Sequence, residues 1–375
     1  MLFVARKNLF SERVRLAISV GGVALSVFLI GMLLSLYRGW DKKVGEYVET
    51  VPADLWVASE GTTDFIQASS VLPGAVGTQL RLLPEVDTVS PLIVRPLQMS
   101  VAGEPRDDKF DVQLVGYDPA IGLGGPLAVA EGKSPPGPGE IVIDKEMSSR
   151  YGVDIGDRLL RGDESLTVVG KSSGGDFVFT HVAFVTLDTA AEFLNLEPPS
   201  QRTFFLLTLD DPDQAQSLSN RLAASMPGVI LVNGEEFADE TRQRLLGNIL
   251  PMLVVVLTVA FIVGLAVAGL TIYTATVEKS REYGILKAEG FTNRFLYRVV
   301  FVQSLATGLL GFAAGAGATA LLAPFAQDAV PQFVVLVRWQ DVLGIAGATL
   351  LMALIAAYVP VQRLARIDPV IAFKG

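Results

Sequence analysis

Hydrophobic positions along this 375-residue chain fall into two patterns. Near both ends they form long unbroken runs; in the middle they alternate or recur at helical spacing. A bilayer core takes roughly 20 apolar residues in a helix, and four runs meet that length. Leu16–Leu36 carries no charge and is followed by Tyr37 and Trp40, residues suited to a membrane interface. Leu245–Val277 is uncharged for 33 residues, with Pro251 near its start, and Val299–Ala323 and Val342–Val359 complete the set. The spans are therefore expected at 16–36, 245–277, 299–323 and 342–360. The first continues outward through Trp40–Glu49. The second would rise roughly 50 Å against a core of about 30 Å, so it is expected to start outside the bilayer near Glu235 and run inward as one helix.

The middle of the chain, residues 37–244, reads differently. Ala53–Ser59, Val86–Val101, Thr203–Leu209 and Gly228–Val232 have strand character, while Val71–Leu83 and Asp213–Met226 have apolar residues at helical spacing. These make two split β-α-β units about 100 residues apart. Between them, Phe110–Gly116, Glu140–Ile143, Arg158–Leu160, Ser165–Gly170 and Val182–Thr186 are short strand candidates punctuated by Gly156-Asp157 and Gly162-Asp163. The fold class expected is a four-helix membrane protein carrying an inserted α+β extracytoplasmic domain, with a β-rich lobe at about 116–195.

Charge adds orientation. The chain is 50% apolar with a net charge of −9, but the charge is divided. Residues 37–245 hold 17 Lys+Arg against 32 Asp+Glu, a net of −15, and the rest hold 13 against 7, a net of +6. An acidic middle lacks the basic face a nucleic-acid binder needs. Arg6, Lys7, Arg13 and Arg15 precede the first span. Lys279, Arg281, Lys287, Arg294 and Arg298 lie between the second and third, and Arg363, Arg366 and Lys374 follow the fourth. The 324–341 loop holds only Arg338 against Asp328 and Asp341. Basic short loops stay inside, which predicts both termini, 1–15 and 361–375, and the 278–298 turn in the cytoplasm. The first apolar run is too long for a signal peptide and lacks a small-x-small cleavage site. Cysteine is absent, so the exported part rests on its own core.

Candidate chemistry is sparse. Gly170-Lys-Ser172-Ser-Gly174 matches a hydrolase pattern, but that pattern needs a helix after the serine. Here a strand starting near Phe177 follows, with the sole histidine, His181, inside it; a hairpin loop is expected. Gly170-Lys171-Ser172 also resembles a P-loop ending, yet Ser165 stands where the first glycine is required. One histidine and no cysteine give a transition metal little to bind, and Asp107-Asp108 and Asp210-Asp211 lack EF-hand spacing. The apolar runs contain no ionisable residue, unlike the spans of ion-coupled transporters. Gly308, Gly311 and Gly315 suit close helix packing, either within the chain or in a dimer.

The turn Thr276–Val300 carries the most specific signal. Glu278-Lys-Ser-Arg281-Glu282-Tyr283-Gly284-Ile285-Leu286-Lys287-Ala-Glu-Gly290 resembles the cytoplasmic signature of MacB/FtsX-type ABC transporter permeases, including DevC/LolC-like four-span subunits. It departs from that signature at Tyr283 and Glu289. The Ala5–Leu9 stretch, Val115–Asp118, Gly139–Ile143, Thr167–Gly170 and the ending Pro360-Val-Gln-Arg363-Leu-Ala-Arg366-Ile-Asp368-Pro369-Val-Ile-Ala372 resemble further family patterns. The resemblance implies a non-enzymatic permease in a bacterial plasma membrane. It also implies a separate ABC ATP-binding subunit that holds the ATP, so that no cofactor is bound here. A second permease copy (the same chain or a paralogue), membrane lipids and, in some members, a membrane-fusion adaptor are the other implied partners. Mechanotransmission would drive export or release of an amphiphilic, lipid-like or peptide substrate. Glu278, Arg281, Glu282, Tyr283, Gly284, Ile285, Leu286, Lys287 and Gly290, with the basic N-terminal segment, would dock on the ATPase, Arg281 and Glu282 making charged contacts and Ile285 and Leu286 entering an apolar groove. An FtsX-like regulator of an external enzyme and a membrane-bound hydrolase are the alternatives.

Overall fold

The computed structural model describes residues 13–66, 70–103, 109–175, 178, 180–198, 200–329 and 333–365. The basic residues Arg6 and Lys7 with the Ala5–Leu9 stretch, Asp107-Asp108, Phe177 and the ending from Arg366 lie outside them. The chain forms two compact units, one of Met1–Gly39 with Ile249–Gly375, the other of Trp40–Asn248.

Helix α1 (Arg13–Thr50) runs for 38 residues. Strand β1 (Leu55–Ser59), helix α2 (Gly74–Leu80) and the 16-residue β2 (Val86–Val101) follow. An inserted lobe begins with β3 (Phe110–Tyr117), β4 (Ala128–Gly132), β5 (Glu140–Asp144) and α3 (Lys145–Tyr151). It continues through β6 (Arg158–Arg161), β7 (Glu164–Ser173), β8 (His181–Thr186) and α4 (Leu187–Phe193). The chain then returns as β9 (Phe204–Leu209), α5 (Ala215–Ser225), β10 (Val229–Val232) and α6 (Gly234–Leu246). Four helices end it: α7 (Ile249–Glu278), the short α8 (Ser280–Ala288), α9 (Asn293–Ala329) and α10 (Trp339–Ala365).

The sheet order β10-β1-β9-β2 explains the two split units. Strands β1 and β2 both pair antiparallel with β9, and β1 also pairs antiparallel with β10. Each β-α-β unit therefore inserts a strand between the other's two. Alternation along these strands loads both faces. Leu55, Val57, Phe205, Leu207 and Leu231 meet Val76 and Leu80 of α2 and Leu218 and Leu222 of α5. Trp56, Phe204 and Leu206 face the other way, toward Tyr47 and Val48 of α1, Phe65, and Phe237 of α6. The rings there are tightly placed, with Trp56–Phe65 and Phe65–Phe204 centroids 5.6 Å apart.

Strand β2 passes from this sheet into the lobe. It pairs β9 as far as Leu92 and β3 from Ile93 onward. The lobe adds its own core, in which Ile141, Ile143 and Val185 pack with Met147 of α3 and Phe193 of α4. Helices α3 and α4 and strand β4 were not among the elements expected from the sequence. Both helices are seven residues long, too short for a helical repeat to register. Each is started by a side chain: Asp144 accepts the Met147 N–H, and Thr186 accepts the Thr189 N–H. Strand β4 is exposed at every position and so shows no alternation.

The expected single helix from Glu235 through the second span is instead two. Helix α6 ends at Leu246 and α7 starts at Ile249. Pro251 has no N–H to give the Gly247 carbonyl and its ring crowds that carbonyl, so the break falls just before it.

In the unit of the four long helices, all four are long and apolar enough to cross a membrane. Many of their buried positions are small, among them Ser26, Ala260, Ala268, Ser304, Thr307 and Ala356, and these share the interior with Val23, Val27, Ile272, Leu296, Val300 and Met352. Other large side chains point outward, as Met252, Leu270, Leu321 and Leu354 do. This is the arrangement expected where lipid is as apolar as leucine and close backbone packing holds the helices. A Cβ on Gly311 would lie 2.6 Å from Val23 Cβ, one on Gly315 would lie 2.5 Å from the Ala24 carbonyl, and one on Gly308 would lie 3.1 Å from Ala353 Cβ. Gly311 and Gly315 thus seat α9 on α1, and Gly308 seats it on α10.

Candidate functional site

The turn between α7 and α9 is built around α8. Lys279 interrupts the helix, with φ −85° and ψ 8°, so α8 leaves α7 at a new angle while the Tyr283 N–H still reaches the Lys279 carbonyl at 3.0 Å. Gly290 at φ 96° ends the turn in the left-handed region, where a side chain would be strained. At a rotation of 100° per residue, nine residues give α8 two distinct faces.

The inner face holds Tyr283 and Gly284, both buried, and Leu286, partly buried. Tyr283 packs in the cluster of Val23, Ala268, Ile272, Leu296 and Ala357. Burial, with Glu282 beside it, pushes its hydroxyl up to about 12, so it stays neutral at physiological pH. The outer face presents Arg281, Glu282 and Ile285, with Ile285 43% exposed. Lys287 is partly buried, and Gly290 is exposed at the turn. Of the two residues expected to enter a partner's groove, Ile285 is on the outer face and Leu286 packs against its own bundle.

Glu278, at the end of α7, forms an ion pair of 2.5 Å with Arg15 of α1. Both residues stood out in the sequence, but their pairing did not, because 263 positions separate them. The signal was there in part: opposite charges end two adjacent apolar runs. Arg15, Ser19, Lys279, Tyr283, Gln303 and Thr307 line a partly open pocket of about 60 Å³.

The hydrolase-like motif is ordinary sheet structure. Ser172 lies within β7 instead of in a hairpin loop, and its hydroxyl donates to the Ile143 carbonyl at 3.3 Å. The loop falls later, at Gly174 and Gly175, both with positive φ. His181 Nδ1 is 3.2 Å from both Asp144 oxygens, while Asp144 also accepts the Met147 and Val182 N–H groups. Asp144 is committed to holding α3 and β8. Among the described residues no cluster of three or more His, Cys, Asp or Glu side chains could hold a metal.

Two family models match in chain order: MacB-like periplasmic core domain over residues 16–225 and FtsX-like permease C-terminal over 253–369. The chain is 24% identical over 376 residues, the whole of both chains, to an uncharacterized ABC transporter permease of Mycobacterium tuberculosis. It is also 24% identical over 264 residues to the lipoprotein-releasing system transmembrane protein LolC of Haemophilus influenzae, covering 64% of this chain and 65% of that one. The periplasmic region of MacB from Actinobacillus actinomycetemcomitans aligns with a TM-score of 0.38 at 14% identity, over 50% of this chain and 92% of its own. With the core-domain model spanning more than half its length and the permease model following, the chain belongs to the MacB/FtsX-type family of ABC transporter permeases.

Proposed function

We propose that this permease relays ATP hydrolysis on a separate ABC ATP-binding subunit to its extracytoplasmic domain, driving export or release of an amphiphilic, lipid-like or peptide substrate. The division of α8 into two faces carries this reading. Tyr283 and Gly284 tie the helix to the bundle, while Arg281, Glu282 and Ile285 stand outward. A force on the outer face therefore passes into the helices through packed contacts. The basic turn supports a cytoplasmic location for α8 and for both termini, leaving residues 37–244 outside a bacterial plasma membrane. A second permease copy, whether the same chain or a paralogue, would complete the assembly over a pair of ATPases. The chain then does no catalysis itself; the ATP is held on its partner. A lipid-linked substrate accords with the likeness to LolC, whose name gives its role as lipoprotein release.

Replacing Arg281 and Glu282 together by alanine tests the proposal. The expected result is a chain inserted at normal levels, with ATP hydrolysis by the complex no longer producing transport. Unchanged transport in the double variant would sink it.

A further inference from the structure

Residues 333–341, the segment after α9 together with the first turn of α10, lie against the outer end of α1 at three points. The Leu336 N–H donates to the Ser35 carbonyl at 3.0 Å. Gly39 meets the Val334 backbone so closely that a Cβ there would overlap the Val334 carbonyl oxygen. Arg38 reaches Asp341 through two contacts, Nε to Oδ2 and Nη2 to Oδ1, both at 3.3 Å. The Asp341 side chain is only 12% exposed, so this pair is better shielded than a surface pair.

Helix α7 is held differently at its corresponding end. Met252, Val255 and Val259 are more than half exposed. Among the described residues, the first half of α7 makes no ion pair or side-chain hydrogen bond to another helix, and the Thr258 hydroxyl returns to its own Val254 carbonyl. Helices α1 and α7 are the two that adjoin the external domain in the chain, which begins at Trp40 and ends at Asn248. One is fastened where it leaves the bundle and the other is not.

We infer that residues 333–341 are a strap that keeps the outer end of α1 fixed to α10 throughout the transport cycle, with Arg38 and Asp341 as its positioning pair. Helix α1 is then the stationary post and α7 the member that moves. The inference rests on the coupling reading above for its consequence in transport, but the strap itself stands on contacts within the bundle.

The chain has no cysteine, so an Arg38→Cys/Asp341→Cys pair can be bridged selectively by a short bifunctional thiol reagent. Arg38→Glu places two carboxylates together and is expected to lower ATP-driven output about fivefold, as a loss of 1 kcal/mol would. The exchanged pair Arg38→Asp/Asp341→Arg should recover most of it. The unbridged cysteine pair should be impaired and the bridged pair restored. A bridge that abolishes output would overturn the strap, because a contact that must open cannot be locked shut. Failure of the bridge to form in membranes holding this chain alone would overturn it as well. Full output from the Arg281→Ala/Glu282→Ala chain removes the coupling reading instead, and a bridge that still forms there leaves the strap in place.

Discussion

The external domain and the membrane bundle solve opposite packing problems. In the external domain the largest side chains are inside: Trp56, Phe65, Phe204 and Phe237 have no exposed surface. In the bundle small residues such as Ala260, Ala268, Ser304 and Ala357 fill much of the interior, while many large ones, Leu250, Val255, Leu321 and Phe325 among them, face outward. Water drives the first arrangement by expelling apolar area. Lipid offers no such drive, so the bundle depends on backbones approaching through Gly264, Gly311 and Gly315. Burial therefore falls mainly on large residues in the external domain, while in the bundle small residues take a large share of the interior beside Val23, Val27, Ile272 and Met352.

The most severe way to test that contrast is to make a hole in the first half. Trp56→Ala should destabilise the external domain by about 3–5 kcal/mol, read as a fall in its denaturation midpoint in the full chain. In the second half, damage comes from adding volume. Gly315→Leu should cost about 1–3 kcal/mol or more through collision with α1. Gly317→Leu, two residues on, has no atom within 4 Å of its added Cβ and should be nearly neutral. Thermal stability in detergent separates the two, and equal effects would break the comparison. Truncating the outward Val255 to alanine should change stability by less than about 0.5 kcal/mol.

The smallest effect expected is on pH. Hydrogen bonds from Arg221 and Lys133 hold Glu85 and Glu140 below the ordinary carboxyl value of 4.5. Their contribution is complete above that value and disappears as pH falls through their lowered values. Both pairs are on the surface, so the loss is slight. Arg221→Ala should flatten the acid limb of the external domain's stability curve and leave the bundle's unchanged.

The sequence foretold most of this layout, and the exceptions are physical. Val86–Val101 is legible as one strand because apolar and polar residues partly alternate along it. Helix α3 escaped because a seven-residue helix started by Asp144 leaves little periodicity. The α6–α7 break was signalled by Pro251, whose effect falls on the preceding turn and not on itself. At the site, the signature marked the segment but not its faces. Only the turn at Lys279 and the burial of Tyr283 separate Leu286, packed inward, from Ile285, facing out. Contacts between remote positions are hardest to read: Arg15 with Glu278 is marked only by opposite charges at the ends of two apolar runs, and Arg38 with Asp341 by no local pattern.

The central claim is that the outer face of α8 receives a separate ATPase, and co-purification tests it most directly. Ile285→Glu puts a charge on that face without disturbing Tyr283, so the chain should insert and fold normally. The account predicts that the ATP-binding subunit no longer co-purifies with this variant, while it does with wild type and with the lipid-facing control Val255→Ala. Retention of the subunit by Ile285→Glu at wild-type levels would contradict it.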